Sequence, residues 1–396
     1  MRGAPWAPGA RALQRRGRPL ATRRYAPRVR PAVVVTRTGD RWIMLAVFTL
    51  VGLSVLMVLN TSFFFAGERF GDPYHVLRKH LVSVALGLVC CVAASRLRGE
   101  TWERLAYPAL AIVTVALIAV LVPGLGLTRG GAQRWLGLGP LNLQPSELAK
   151  IVVVLYLARS IVRKGPRMAT FGVGILPHAI VVGTLCALIV VEPDFGSAVV
   201  LGVLLAAMLF VGGARWWHLG LPVLAALPLV AWAVRSSPYR WQRVVSFLDP
   251  WQDPQNAGFQ LVQSFLAFGS GGVLGAGLGE SKQKMFYLPE AHTDFIFSVI
   301  GEELGLVGAL AIVLLFALLA VRGFRVALRH PTPFGQLAAV GLTLALVLQA
   351  GVNMAVVLGL LPTKGLALPF VSYGGSAMLA AMTGAGILLG LSRESG

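Results

Sequence analysis

Asp294 ends the run Glu290-Ala291-His292-Thr293-Asp294 and stands immediately before Phe295, where a long apolar stretch opens. A carboxylate there sits at the mouth of a helix, and two effects oppose each other. The helix N-terminus favours the ionised form by a few tenths to about 1 kcal/mol. Desolvation raises the pKa, by up to several units when burial is complete. Such a group can serve as a general base toward a hydroxyl, for which an ionised oxygen within hydrogen-bond reach is the first need. A helix cap is the plain structural alternative. Glu290 and His292 are the ionisable neighbours.

A second group opens another apolar run, Gln144-Pro145-Ser146-Glu147-Leu148-Ala149-Lys150. Pro145 suits a first helical turn. Glu147 and Lys150, three residues apart, share one helix face, either as an ion pair that fixes packing or as the lining of a cavity, or both. Glu192 and Asp194 flank Pro193 at a predicted sharp turn, and Arg134 precedes Trp135 in a glycine-bearing loop. The long segment 235–293 carries Arg240 and Arg243, and its stretch 256–268 has Phe259, Val262, Phe265 and Leu266 at helical spacing, which predicts a helix lying in the outer interface. The glycines from Gly269 to Gly279 could offer N–H groups to a phosphate or form a re-entrant turn; no strand precedes them, which excludes a dinucleotide fold. Glu302 and Glu303 lie deeper in the following run and need partners from elsewhere.

The elements that must hold these residues are membrane helices. Of 396 residues, 56% are hydrophobic and only 13% charged, too little polar residue to cover a water-facing surface. Ten apolar runs are long enough to span, near 42–63, 76–97, 105–122, 143–162, 170–190, 196–211, 216–234, 295–321, 334–361 and 367–391. The excess of 35 Lys+Arg over 16 Asp+Glu would suggest nucleic acid in a soluble chain, but eleven arginines fall between Arg2 and Arg41. Residues 1–40, rich in Arg and Pro, are expected to form a disordered cytoplasmic tail, with the membrane domain over 41–392 and one long extracytoplasmic loop over 235–293. Lys and Arg favour cytoplasmic loops, and with the N-terminus inside, 23 lie on that side against 11 outside. That orientation places Asp294, Glu147, Lys150, Asp194 and Lys364 toward the outer face. Cys90, Cys91 and Cys186 lie in apolar runs without metal-ligand spacing.

Taken together, the motifs resemble a known family. Gln144 to Lys150, Glu192-Pro193-Asp194-Phe195-Gly196, Tyr287 to Phe297 with Gly301-Glu302-Glu303-Leu304-Gly305, and Leu361-Pro362-Thr363-Lys364-Gly365 followed by Leu368 to Ser376 are similar to the SEDS family of peptidoglycan polymerases. The resemblance covers about 40–391, and Thr363-Lys364-Gly365 is nearer to the cell-division branch than to the rod-elongation branch. Two departures are Ala377 in place of a second serine and Ser197 in place of a frequent threonine.

The resemblance implies an all-α, polytopic membrane protein with about ten transmembrane helices and both termini cytoplasmic. It implies a peptidoglycan glycosyltransferase that polymerises lipid II on the outer face of the bacterial cytoplasmic (inner) membrane, at the division septum. Asp294 matches the family's catalytic aspartate, accepting the proton of the acceptor GlcNAc 4-hydroxyl. Arg134, Lys150, Arg240, Arg243 and Lys364 are candidates to meet the pyrophosphate charge, with Glu147, Glu290, His292 and Asp194 in support. A divalent cation, Mg or Mn, is the one candidate cofactor, and no ligand cluster in the sequence identifies its site. The implied partners are lipid II, a class B penicillin-binding protein transpeptidase and other division-complex membrane proteins, with no nucleic acid. The competing readings are a lipid II flippase or other transporter, the same polymerase in rod elongation, and a non-catalytic scaffold.

Overall fold

A computed structural model describes residues 39–129, 132–138, 141–256, 258–281 and 292–395. The tail through residue 38, Lys282, Lys284 and Glu290 lie outside the described residues.

Each of the ten apolar runs becomes a helix. They are α1 (Arg41–Phe70), α2 (His75–Arg96), α3 (Gly99–Leu121), α4 (Pro145–Lys164), α5 (Leu176–Val191), α6 (Phe195–Val211), α7 (Trp216–Arg235), α10 (Ile296–Arg329), α11 (Pro333–Val357) and α12 (Gly375–Glu394). Two further helices, α8 (Pro238–Leu248) and α9 (Phe259–Gly271), lie in the long loop. Among the described residues, seven segments are long and apolar enough to cross a membrane: α1, α2, α3, Phe171–Val191, α10, α11 and α12. The other three fall short for visible reasons. α4 carries Glu147, Lys150, Arg159, Arg163 and Lys164, α6 has 17 residues, and the apolar stretch of α7, Trp216–Trp232, is equally short.

The chain between α3 and α4 is more ordered than a plain loop. It forms an antiparallel sheet of β1 (Gly126–Arg129), β2 (Ala132–Leu138) and β3 (Leu141–Leu143), in the order β1-β2-β3. This small sheet carries Arg134 toward the junction of α5 and α6.

α4 is the central helix. Nearly all of its first five turns is buried, because it packs against α3, α6, α11 and α12. α3 and α7 instead show apolar faces outward, with Ile112, Val115, Trp216 and Trp232 among the most exposed, as lipid-facing helices do.

α10 is broken at Gly305, whose φ is 65°. A break inside an apolar layer orphans backbone groups that must be paired by protein. The glycine-rich chain after α9 pairs all four. The amides of Ala276 and Gly277 donate to the carbonyls of Glu302 and Glu303 at 2.9 and 3.1 Å, and the amides of Leu306 and Val307 donate to the carbonyls of Gly272 and Val273 at 3.0 and 3.2 Å. The approach is so close that a Cβ on Gly275 would lie 2.1 Å from the Glu303 carbonyl oxygen. The Ala276 and Gly277 amides are therefore spent on the helix break and not offered to a phosphate. Glu302 and Glu303 find their partners here too: Ser281 donates to both, and Asn60 of α1 donates to Glu303.

α9 matches the predicted helix in place but buries a different face. Leu261, Val262, Ser264 and Ala267 point inward, while Leu266 is exposed. The Ser264 hydroxyl explains the shift, since it pairs with Ser298 of α10 at 2.7 Å and donates to the Val357 carbonyl at 2.6 Å.

Candidate active site

The site is built around a segment without regular secondary structure, 358–374, between α11 and α12. Five successive residues of it, 363–367, meet side chains from α6, α8, α11 and the turn before α10. The Thr363 carbonyl accepts from Arg243 Nη1 of α8 at 3.1 Å. The Lys364 ammonium lies 4.9 Å from the centre of the Phe195 ring, at the start of α6. Gly365 packs on the Asp294 carboxylate, with the Oδ2 atom 2.9 Å from where a Cβ would stand. The carbonyls of Leu366 and Ala367 accept from Asn353 Nδ2 at 2.6 Å and from Gln349 Nε2 at 2.9 Å, both on α11.

Asp294 is half-buried in the turn that leads into α10. Its backbone carbonyl accepts a second hydrogen bond from Asn353 Nδ2, at 2.8 Å. His292, two residues earlier, stacks on Phe65 of α1 at 5.4 Å between ring centres and lies 5.6 Å from the Tyr373 ring; its carbonyl accepts from the Tyr373 amide at 2.9 Å. His292 thus joins the Asp294 turn to α1 and to the segment before α12.

Glu147 and Lys150 form an ion pair at 2.8 Å with both side chains almost completely buried. The Lys150 ammonium also donates to Gln349 Oε1 at 2.7 Å. A buried pair of this kind holds together only when its remaining donors and acceptors are met, and Gln349 meets one. The pair borders a small cavity shared with Gln349, Pro369 and Ala377. The serine that sequence would favour in place of Ala377 would add a hydroxyl to that lining.

The turn between α5 and α6 separates two carboxylates by environment. Asp194 caps α6 by accepting from the Ser197 amide at 3.1 Å, and its other oxygen accepts from Ser146 Oγ at 2.9 Å and Gln144 Nε2 at 3.1 Å. Glu192 is 1% exposed, and among the described residues neither of its carboxylate oxygens has a hydrogen-bond partner. Burial, with the charge of Asp194 adding and Arg134 opposing, raises its pKa to about 8. The Arg134 guanidinium donates to the carbonyls of Glu192 and Pro193, at 3.0 and 2.6 Å. Arg134 therefore fixes this turn rather than pointing away from it.

The cations differ in how far they are committed. Lys150 is neutralised by Glu147, Arg134 is spent on two carbonyls and Arg243 on one. Arg240 lies one turn before Arg243 on α8 and is partly buried. Among the described residues no carboxylate pairs with Lys364, whose pKa is lowered by burial. A cation held against an aromatic face in a partly desolvated place is well suited to an incoming anion.

Four acids of this layer are already engaged by protein groups. Asp194 is occupied by three donors, Glu147 by Lys150, and Glu302 and Glu303 by Ser281 and Asn60. Among the described residues no three His, Cys, Asp or Glu side chains converge as ligands. Gln349 and Asn353 are the site residues that the sequence reading passed over. They were hidden in an apolar run, although two amide side chains four residues apart on a membrane helix mark an inward polar stripe.

Comparison with known proteins agrees with this architecture. The family model FTSW_RODA_SPOVE, described as cell cycle protein, matches residues 41–396. A probable peptidoglycan glycosyltransferase FtsW from Geobacter metallireducens is 44% identical over 353 residues, covering 89% of this chain and 94% of that protein. One of the same description from Thioalkalivibrio sulfidiphilus is 45% identical over 359 residues, covering 90% of each. Among solved structures, a chain of a peptidoglycan synthase complex that coordinates polymerization and crosslinking superposes with a TM-score of 0.74 at 32% identity, covering 90% of this chain and 98% of that one. An aspartate-to-alanine mutant of the rod shape determining protein RodA from Thermus thermophilus superposes with a TM-score of 0.67 at 28% identity, covering 90% of this chain and 98% of that one.

Proposed function

Because the chain belongs to the FtsW/RodA/SpoVE family of cell cycle proteins, we propose that it is a peptidoglycan glycosyltransferase that polymerises lipid II, with Asp294 as the general base. The observation that carries this reading is the convergence on 363–367. A half-buried carboxylate, a cation without a carboxylate partner among the described residues and, through Gln349, a buried ion pair all meet one short segment.

In this reaction the 4-hydroxyl of the acceptor GlcNAc attacks C1 of the donor MurNAc, and the lipid pyrophosphate leaves. Asp294 takes the hydroxyl proton as the new C–O bond forms, which is worth about 10²- to 10⁴-fold for a well-placed base. Lys364 meets the charge that develops on the pyrophosphate, and its partial burial strengthens that interaction. Glu147 and Lys150, already neutralising one another, shape the inner wall of the cavity instead of carrying a charge across it, which favours polymerisation over transport. No step is assigned to a divalent ion.

The setting we assign is the bacterial inner membrane at the division septum, alongside a class B penicillin-binding protein transpeptidase. The relatives' description as FtsW and the likeness to a complex that couples polymerization to crosslinking support it. The test is purified protein supplied with lipid II and scored for glycan chains. Asp294→Asn is expected to lower the rate by about 10²- to 10⁴-fold, and polymer formed equally by that variant would overturn the assignment of the base.

A further inference from the structure

α11 runs through an apolar layer yet presents Gln349 and Asn353, four residues apart and therefore on one face. Their side chains are 5% and 2% exposed. Polar amides at that depth are costly unless hydrogen-bonded, and here both are used on the same target. Gln349 takes Lys150 on its oxygen and gives its Nε2 hydrogen to the Ala367 carbonyl. Asn353 gives its two Nδ2 hydrogens to the carbonyls of Leu366 and Asp294.

We propose that Asn353, with Gln349 one turn away, is a positioning residue that sets the distance between the Asp294 carboxylate and the Lys364 segment. The inference rests on the assignment of Asp294 as general base. Its chemical logic is that of an amide fork. An Asn side chain has two N–H donors fixed about one nitrogen, so the two carbonyls it serves cannot move apart without losing a bond. One carbonyl belongs to the residue that carries the base. The other lies two residues beyond Lys364 and one beyond Gly365, which touches the base directly. Gln349 extends the same restraint to the Glu147 and Lys150 pair, so three elements of the site are referred to one face of one helix. Among the described residues Asn353 Oδ1 has no partner, and the two donated bonds are the polar tie of this side chain to the site.

Such a residue acts through geometry, and its loss has a specific signature. A displacement of about 1 Å in a reacting group costs on the order of 10²-fold in rate. For purified protein with lipid II, Asn353→Ala is expected to lower kcat by about 10- to 10²-fold while KM stays within about threefold, because the base and the Lys364 charge act on groups that change only as the bond is made and broken. Asn353→Ser, which retains one donor, is expected to fall between. Hydrogen exchange measured by mass spectrometry on the same samples reads the restraint without reference to activity. Amides of 292–298 and 364–368 should exchange faster in Asn353→Ala, and those of α4 and α12 should not change.

Unchanged kcat and unchanged exchange in Asn353→Ala would overturn the proposal, as would faster exchange throughout the protein with kcat and KM altered together. An active Asp294→Asn protein sinks the general-base reading and with it the catalytic part of this proposal. The exchange result still decides whether Asn353 holds the two segments together, so the two failures are told apart.

Discussion

Glu192 offers a test of how the site's electrostatics were built. The side chain is 1% exposed, its two oxygens lack partners among the described residues, and its pKa is raised from 4.5 to about 8 by burial first and by Asp194 second, against the pull of Arg134. Between those two pH values the folded protein keeps a proton that the unfolded chain releases. Stability from this group is therefore fully present below about pH 4.5, declines as pH rises, and is gone above about pH 8. One proton corresponds to about 1.4 kcal/mol per pH unit, or about 2.7 kcal/mol between about pH 5.5 and about pH 7.5. At average unfolding entropies for a chain of this size that is about 3 °C in Tm. Glu192→Gln removes the titration while keeping the shape of the neutral acid. Thermal unfolding of the two purified proteins in the same detergent should show Tm falling by about 3 °C more in the native protein than in Glu192→Gln over that range. Parallel pH profiles would refute the reasoning and mean that Glu192 is ionised in the fold. An activity profile gives a second reading. Ionised Glu192 would draw the Arg134 guanidinium away from the backbone carbonyls it now holds, so the native enzyme should lose activity above about pH 8 and Glu192→Gln should keep it.

Two further perturbations are as local. Gly365→Ala places a methyl 2.9 Å from Asp294 Oδ2 and meets no other described residue within 4 Å, so the carboxylate must move by roughly 0.5 Å; kcat for glycan synthesis should fall about tenfold with Tm unchanged, and a drop in Tm equal to that of a core cavity would count against it. Lys150→Met leaves Glu147 buried without its partner and should cost about 3–5 kcal/mol. Adding Glu147→Gln should restore most of that stability in a thermal melt, and a double variant as unstable as the single one would show that the pair is not what is being lost.

The helices were legible because lipid imposes one rule, a run of apolar residues about 20 long, and α4 obeyed it closely enough to be found despite five charged residues. The site's ionisable members were legible for the converse reason, since charge at membrane depth is expensive and stands out. What sequence could not supply was the sign of each environment. Glu192 and Asp194, two residues apart, carry the same functional group. One receives three donors and the other none, because Ser146, Gln144 and the Ser197 amide all arrive on the Asp194 side from α4 and α6. The sheet over 126–143 was missed for a plainer reason. Its strands are three to seven residues long, and β2, Ala132–Leu138, carries little apolar-polar alternation to mark it as a strand.

The same reasoning explains why the site gathers on an irregular segment. Residues 358–374 run between two helices with few backbone groups paired within the segment itself. Irregular backbone near a membrane's apolar layer persists only where protein side chains take up its carbonyls and amides. In this fold that task falls to Arg243, Asn353, Gln349 and Ser372, which serve Thr363, Leu366, Ala367 and Leu368 in turn. A segment held by side chains rather than by a helix can place a glycine against one carboxylate and a lysine over one ring at spacings no helix provides. It also makes those spacings depend on residues that never touch a substrate. Ionisable residues mark where the chemistry is, and the uncharged amides around them decide its geometry.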